Sequence, residues 1–169
     1  STEIVVADKT QSNWNVVFRK SYPFGTLGLR SMYMTDPAPD SGQRLRACSF
    51  IDNQVGQRWL ANECGTAVVL GATGTNLVTI REKMAEWQPE RVHGAALTYE
   101  EIALSVDRLC QLNDDERARL VGLEKGREKT IHIGALILER AMFALSVNQV
   151  SVSVRGWRHT LLEHGLPQG

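Results

Sequence analysis

Phosphate oxygens are held by backbone amides, hydroxyls and fixed positive charge. Runs of small residues let the backbone come close enough to supply the amides. Three such runs occur in this 169-residue sequence: Ser1-Thr2-Glu3, Gly71 through Thr75 (Gly-Ala-Thr-Gly-Thr), and Ser153 through Arg158 (Ser-Val-Arg-Gly-Trp-Arg). Each adjoins a segment that reads as a strand, and ligands in layered α/β folds settle at strand ends. Glu3 adds a carboxylate to the first run, and Arg155 and Arg158 add cations to the third. Taken singly, a GxxGT run is also an ordinary turn and an SxxGxR run an ordinary helix start. Glu100 and Glu101 resemble a catalytic carboxylate pair, but Thr98 with Glu101 has the spacing of a capping box, which accounts for Glu101.

The surrounding pattern predicts the elements that carry these runs. Ile4 to Ala7 and Trp14 to Phe18, separated by polar residues, read as a β-hairpin, with Ser21 to Gly25 extending it. Residues Pro37 to Gly42 read as a loop. Leu45, Cys48, Ile51, Val55 and Trp59 recur at helical spacing, with Gly65 as the stop. Ala67 to Leu70 reads as a buried strand, Gly71 to Asn76 as a tight loop, and Leu77 to Trp87 as a helix. Behind the capping box, Ile102, Val106 and Leu109 face a core, and Asn113 with Glu116 repeats the capping logic. Ile131 to Leu145 is apolar on nearly every side and predicts a buried helix. Gln149 to Val154 alternates as a strand, and Arg158 to His164 forms a last helix stopped by Gly165. Strands alternating with helices predict one layered α/β domain over residues 1–169.

Composition narrows the classes of function. Basic and acidic residues balance at 19 each, which speaks against a general electrostatic grip on DNA. No uninterrupted apolar run is long enough to cross a membrane, and no charged start leads into an apolar leader. Cys48, Cys64 and Cys110 are odd in number and widely spaced, as free thiols in a reducing cytoplasm would be. The histidines lack zinc-site spacing. The chain opens directly in a strand, which reads as an excised piece of a longer protein.

Together and in this order, the motifs resemble the C-terminal actin-like lobe of the exopolyphosphatase and guanosine pentaphosphate phosphohydrolase family. Ser1-Thr2-Glu3 is similar to the tail of that family's G-G-G-S-T-E turn. Ser21 and Gly25 match its S-x-x-x-G segment, and Gly71 to Thr75 loosely match its G-T-S-G-T loop. Val92-His93-Gly94, Glu116-Arg117 through Gly122-Leu123, Arg127 through Ile131, Gly134 and Leu138, and Ser153 through Leu162 follow its last third. The resemblance covers nearly the whole chain. Three departures bear on substrate and activity: Lys129 replaces an acid, Thr160 replaces a glycine, and Gly28 stands where an arginine is usual, with Arg30 nearby.

The resemblance implies an actin-like ATPase (ribonuclease H-like) α/β domain, a mixed β-sheet flanked by helices, as the second lobe of a two-lobed bacterial, cytoplasmic phosphohydrolase. It implies hydrolysis of terminal phosphoanhydrides of inorganic polyphosphate or guanosine pentaphosphate with Mg²⁺, the general base lying in an N-terminal lobe outside this chain. This lobe alone is then inactive. In that scheme Ser1, Thr2 and the turn amides bind phosphate, and Glu3 binds Mg²⁺ or positions water. Arg127, at the start of the buried helix, contacts phosphate, unless it is a surface arginine paired with Glu124 or Glu128. Thr73 and Thr75 are further phosphate contacts. A homodimer is also implied. Two other readings remain: a lobe of the same fold that senses phosphorylated nucleotides or polyphosphate without hydrolysis, and an actin-like assembly domain.

Overall fold

The computed structural model describes residues 1–11, 13–56 and 65–156. The hairpin forms as the alternation predicts. Strands β1 (Thr2–Lys9) and β2 (Trp14–Tyr22) pair antiparallel. Ile4 and Tyr22 are buried on its inner face. A bulge between Val6 and Ala7 shifts the register by one residue, so that Glu3 stands opposite Ser21. Only Ser21 and Tyr22 of the predicted extension belong to the strand. Gly25 instead begins a short helix, α1 (Thr26–Met32), that the sequence does not announce. Its glycine at position 28 is a poor helix former. Tertiary packing compensates, with Leu29 fully buried and α1 lying against the long helix described below.

Helix α2 (Ser41–Val55) starts one residue past Asp40, whose carboxylate accepts from the Gln43 amide at 2.7 Å. Ser41 and Gly42 therefore belong to the helix rather than to the predicted loop, because Asp40 supplies a cap that composition alone does not single out. The buried face is Gln43, Ala47 and Ile51. Leu45, placed on the apolar stripe by its spacing, is 67% exposed. The helix stops at Gly56 (φ 68°), not at Gly65, since glycine takes the left-handed cap without penalty. Trp59 lies outside the described residues.

Strand β3 (Ala67–Leu70) is where predicted, but it is not buried: Val68 and Leu70 face outward. The run from Ala72 is not a loop. Gly71 (φ 98°) is the N-cap, and α3 spans Ala72–Arg81, ending well short of Trp87. The glycine turn consumes one residue, and the alanine and threonines then take helical geometry with Gly74 against Val69. A one-turn helix α4 (Pro89–Val92) and a three-residue strand β4 (Ala96–Thr98) follow. Helix α5 (Tyr99–Gln111) and helix α6 (Asp114–Ala118) both carry the complete capping boxes expected at Thr98/Glu101 and Asn113/Glu116. Helix α7 (Ile131–Leu145) is buried on all sides from Ile131 to Ile137, and β5 (Gln149–Ser153) is alternately buried. The predicted terminal helix from Arg158, with Thr160 and Gly165, lies outside the described residues.

Strand β5 sits at the centre of a mixed sheet, order β3–β5–β4, parallel to β3 and antiparallel to β4. The hairpin β1–β2 is a separate two-stranded sheet. Helix α7 is the hub, touching α1, α2, α3 and α5. Two glycines fix how closely elements approach. A Cβ at Gly122 (φ 93°) would sit 2.1 Å from the Thr79 carbonyl, and one at Gly134 would sit 2.4 Å from Thr73 Oγ1.

One buried group works against stability. His132 on α7 is fully buried and neither ring nitrogen has a hydrogen-bond partner. Burial, reinforced by Arg117 and Arg30 and only partly opposed by Asp114, lowers its pKa from 6.5 to about 3. The unfolded chain thus binds a proton that the folded chain refuses between those values, and stability falls as pH drops through that window. Acidifying from pH 7 to 5 should cost about 2 kcal/mol through this residue. His132→Leu should flatten that part of the pH–stability curve and raise stability at pH 7. Urea unfolding at both pH values checks this, and an unchanged acid slope in the variant contradicts it.

Candidate functional site

The first residues of β1 carry the most developed cluster. Period-two alternation puts Ser1 and Glu3 on the hairpin face turned away from the core. The bulge brings Ser21 directly opposite. Ser21 Oγ donates to Glu3 Oε1 at 3.1 Å, and the Ser1 side chain hydrogen-bonds the same carboxylate. Those two hydroxyls, against a slight opposing effect of burial, hold the Glu3 carboxyl below the usual carboxylate range. Glu3 is therefore ionised at neutral pH, with its remaining lone pairs turned to solvent. Ser21 matched a motif in the sequence without a role. Counting the hairpin register would have found it only with the bulge included.

Neighbouring residues hold this turn in place. Thr2 Oγ1 donates to the Phe24 carbonyl at 2.9 Å, tying the start of β1 to the segment before α1. Gly25 lies against Ser1: a Cβ there would stand 3.0 Å from the Ser1 nitrogen. The glycine of the S-x-x-x-G pattern thus makes room for the turn. Ser1, Thr2 and Glu3 open onto a groove of about 940 Å³ that runs between β1 and β3 over α7. Thr73 also lines this groove, wedged against Gly134.

The other candidate residues lie elsewhere. Thr75 is inside α3, its hydroxyl donating to the Ala72 carbonyl at 3.1 Å. It faces a second hollow of about 770 Å³ with Asn76, Trp87, Gly122 and Glu124. Asn76 is locked there, donating to Ala72 and accepting from the Glu124 amide at 2.7 Å. Arg127 lines neither hollow. It sits in the turn ahead of α7 rather than at its start, and pairs with Glu124 at 3.5 Å. Both partners are substantially exposed, so the pair is weak and exchangeable. Arg30 does not reach the β1 turn: it makes a bidentate bond to Asp114 and donates to the Lys129 carbonyl. Lys129 is exposed, and Gly28 lies in α1.

The donors at Ser1, Glu3 and Ser21 are all oxygens. Such a set suits a hard cation such as Mg²⁺, which keeps most of its waters and takes one or two carboxylates besides phosphate oxygens. Glu3 would be the protein ligand. Among the described residues no group of three His, Cys, Asp or Glu comes together, so a closed all-protein metal cage is not formed there. The described thiols offer little chemistry: Cys48 and Cys110 are free, and burial pushes Cys110 up to about 11; Cys64 lies outside the described residues. No helix among the described residues is long and apolar enough to cross a membrane.

Comparison with known proteins bears on the family and the fold. No curated protein matches the sequence. Among solved structures, an Aquifex aeolicus Ppx/GppA family protein superposes with a TM-score of 0.80 at 25% identity, covering 95% of this chain and 55% of its own. An exopolyphosphatase-like protein superposes with a TM-score of 0.81 at 19% identity, covering 96% and 56%. An exopolyphosphatase from Cytophaga hutchinsonii gives 0.72 at 15% identity, covering 88% and 49%. The latter two establish the fold alone, an actin-like α/β domain. The chain spans about half the length of the structures it matches. The sequence profile of the Ppx/GppA phosphatases matches residues 1–168, and with the motifs and fold in agreement the chain belongs to the Ppx/GppA phosphatase family.

Proposed function

We propose that this chain is the second lobe of a two-lobed phosphohydrolase. It would release terminal phosphate from inorganic polyphosphate or guanosine pentaphosphate in a bacterial cytoplasm, with Mg²⁺. The observation that carries the reading is the ionised Glu3 carboxylate flanked by the Ser1 and Ser21 hydroxyls at the mouth of a groove. Phosphoanhydride hydrolysis needs donors on the phosphate oxygens, neutralised charge and a positioned water. The amides of the turn supply donors, and the Ser1 hydroxyl adds one by exchanging Glu3 for a phosphate oxygen. Thr2 keeps the turn rigid through Phe24. Glu3 orients the attacking water or holds the cation, which when bound would neutralise charge developing on the phosphate. Arg127 can add a bidentate contact by exchanging Glu124 for a phosphate. Thr73, on the wall of the same groove, is a secondary contact, whereas Thr75 faces the other hollow and takes no part. The general base belongs to the other lobe.

Phosphate release measured on the two-lobed protein, with each substrate and with and without Mg²⁺, tests this. Release from at least one substrate that chelation abolishes is expected, and none from the 169-residue chain alone. Calorimetric binding without any release would replace the hydrolytic reading with the sensing one. Neither binding nor release would end both.

A further inference from the structure

Residues 119–130, between α6 and α7, form a strap of turns pinned near both ends. At the front, Thr79 Oγ1 donates to the Gly122 carbonyl at 2.5 Å, and the Glu124 amide donates to Asn76 Oδ1 at 2.7 Å. At the rear, the Glu128 carbonyl accepts from Arg117 at 2.6 Å and the Lys129 carbonyl from Arg30 at 3.0 Å. Between them lie the exposed Arg127–Glu124 pair and the Gly126 amide, which donates to the Glu128 carboxylate. The anchors differ in kind. The front one is neutral, whereas the rear one is made by two guanidiniums that share one carboxylate, Asp114.

His132 stands against the rear anchor. It is the second residue of α7 and fully buried, and neither ring nitrogen has a partner among the described residues. The charges that bear on it are Arg117 and Asp114 of α6 and Arg30 of α1. From α5, Cys110 bears on Arg117 but is a neutral thiol. From α3, Thr73 meets α7 at Gly134 without a charge. Arg44 and Asp52 of α2 and Asp107 of α5 act about two turns further along, on Glu139 and Arg140.

A protonated His132 would be a third cation beside two arginines and one carboxylate. It would also lie in the first turn of a helix, where the backbone dipole repels positive charge. No acceptor among the described residues meets the added proton. Relief can be local, because all the repelling charge belongs to the rear anchor. Freeing the end of the strap brings the imidazole to water, while the rest of α7 stays clamped by α2, α3 and α5.

We propose that His132 is an acid trigger for this strap: on taking up a proton it releases the rear anchor, and residues 125–132 open while the rest of the fold stays closed. The sign follows from where the proton binds. Its pKa is about 3 in the closed state and returns toward 6.5 on opening, so opening gains as pH falls below 6.5. The strap carries Arg127, so acid withdraws a proposed phosphate contact; that consequence alone rests on the proposed function.

Amide hydrogen exchange of the two-lobed protein without substrate, in low urea at pH 7 and pH 5 and corrected for intrinsic rates, tests this. The amides of Thr130, Ile131 and Gly134, bonded within the strap and the first turn of α7, report opening. Their open population should rise about 25-fold between pH 7 and pH 5. It should depend little on urea, because a local opening exposes little surface. Val152, whose amide is bonded to Ala95 in the sheet, should show the steep urea dependence of global unfolding. His132→Leu and His132→Gln cannot titrate, and both should remove the 25-fold rise. Equal urea dependence at Thr130 and Val152 overturns the proposal, because the opening is then global. So does a rise that persists in both variants, or one absent from the unaltered protein. Phosphate release plays no part in this readout, so an inactive protein that opens with acid refutes the hydrolytic function alone.

Discussion

An Arg117→Met chain should lose about 3–5 kcal/mol of stability, the largest loss expected from any single side chain here. Arg117 is fully buried at the end of α6. Its guanidinium donates to the carbonyls of Leu109, Leu112, Glu128 and Pro37 at 2.5–2.7 Å, and to the Asp114 carboxylate. One side chain thus closes the end of α5, the turn before α7 and the segment before α2. Removing it leaves four carbonyls without that donor, and Asp114 then faces Arg30 alone. Burial raises the Asp114 carboxyl, but hydrogen bonds from Arg30 and Arg117 outweigh it and hold the group ionised. Arg117→Lys should rescue little, because an ammonium cannot span so many acceptors in a fixed fork. Urea unfolding of both variants decides the matter. A loss below about 1 kcal/mol for Met would mean that water replaces the guanidinium without cost.

Glu3→Gln carries the largest expected effect on activity. If Glu3 orients water or holds the cation, the amide removes the charge while keeping the shape. Mg²⁺-dependent phosphate release by the two-lobed protein should fall by about 10²–10³ in kcat, equivalent to about 3–4 kcal/mol. Ser21→Ala should be milder and have a different signature. Loss of its hydrogen bond lets the Glu3 carboxyl rise toward its ordinary value. The acid limb of the pH–rate profile then moves to higher pH while the rate at neutral pH changes little. Equal kcat in Glu3→Gln and the unaltered protein would remove Glu3 from the mechanism, whatever the fate of the phosphate turn.

The two sites differ in how they could be read. Glu3 was singled out because Ser1-Thr2-Glu3 resembles the tail of the family's G-G-G-S-T-E turn. Arg117 appeared only as part of a motif, since nothing local distinguishes an arginine aimed inward from one aimed at water. The hydroxyl-rich run from Gly71 shows the reverse error. Small residues suggested a loop, yet after one glycine turn they continue as helix, and Thr73 meets Gly134 across an approach of α3 on α7.

The sequence by itself determined what local chemistry controls. Alternation set the hairpin and β5, and both capping boxes formed because their partners lie three residues apart. The uniformly apolar run 131–145 had nowhere to go but the interior. Tertiary structure decided whatever depends on distant backbone. It ended α2 at Gly56, left Val68 and Leu70 uncovered, and gave a glycine-bearing segment helical form against α7. Above all it placed the bulge at Val6/Ala7. Without that extra residue Glu3 would oppose Lys20, and an ion pair would occupy the carboxylate. With it, Glu3 opposes Ser21 and stays ionised with lone pairs free for a cation or a water. A one-residue slip of register costs little locally and changes every cross-strand neighbour, so only the packed sheet could settle which partner the carboxylate has.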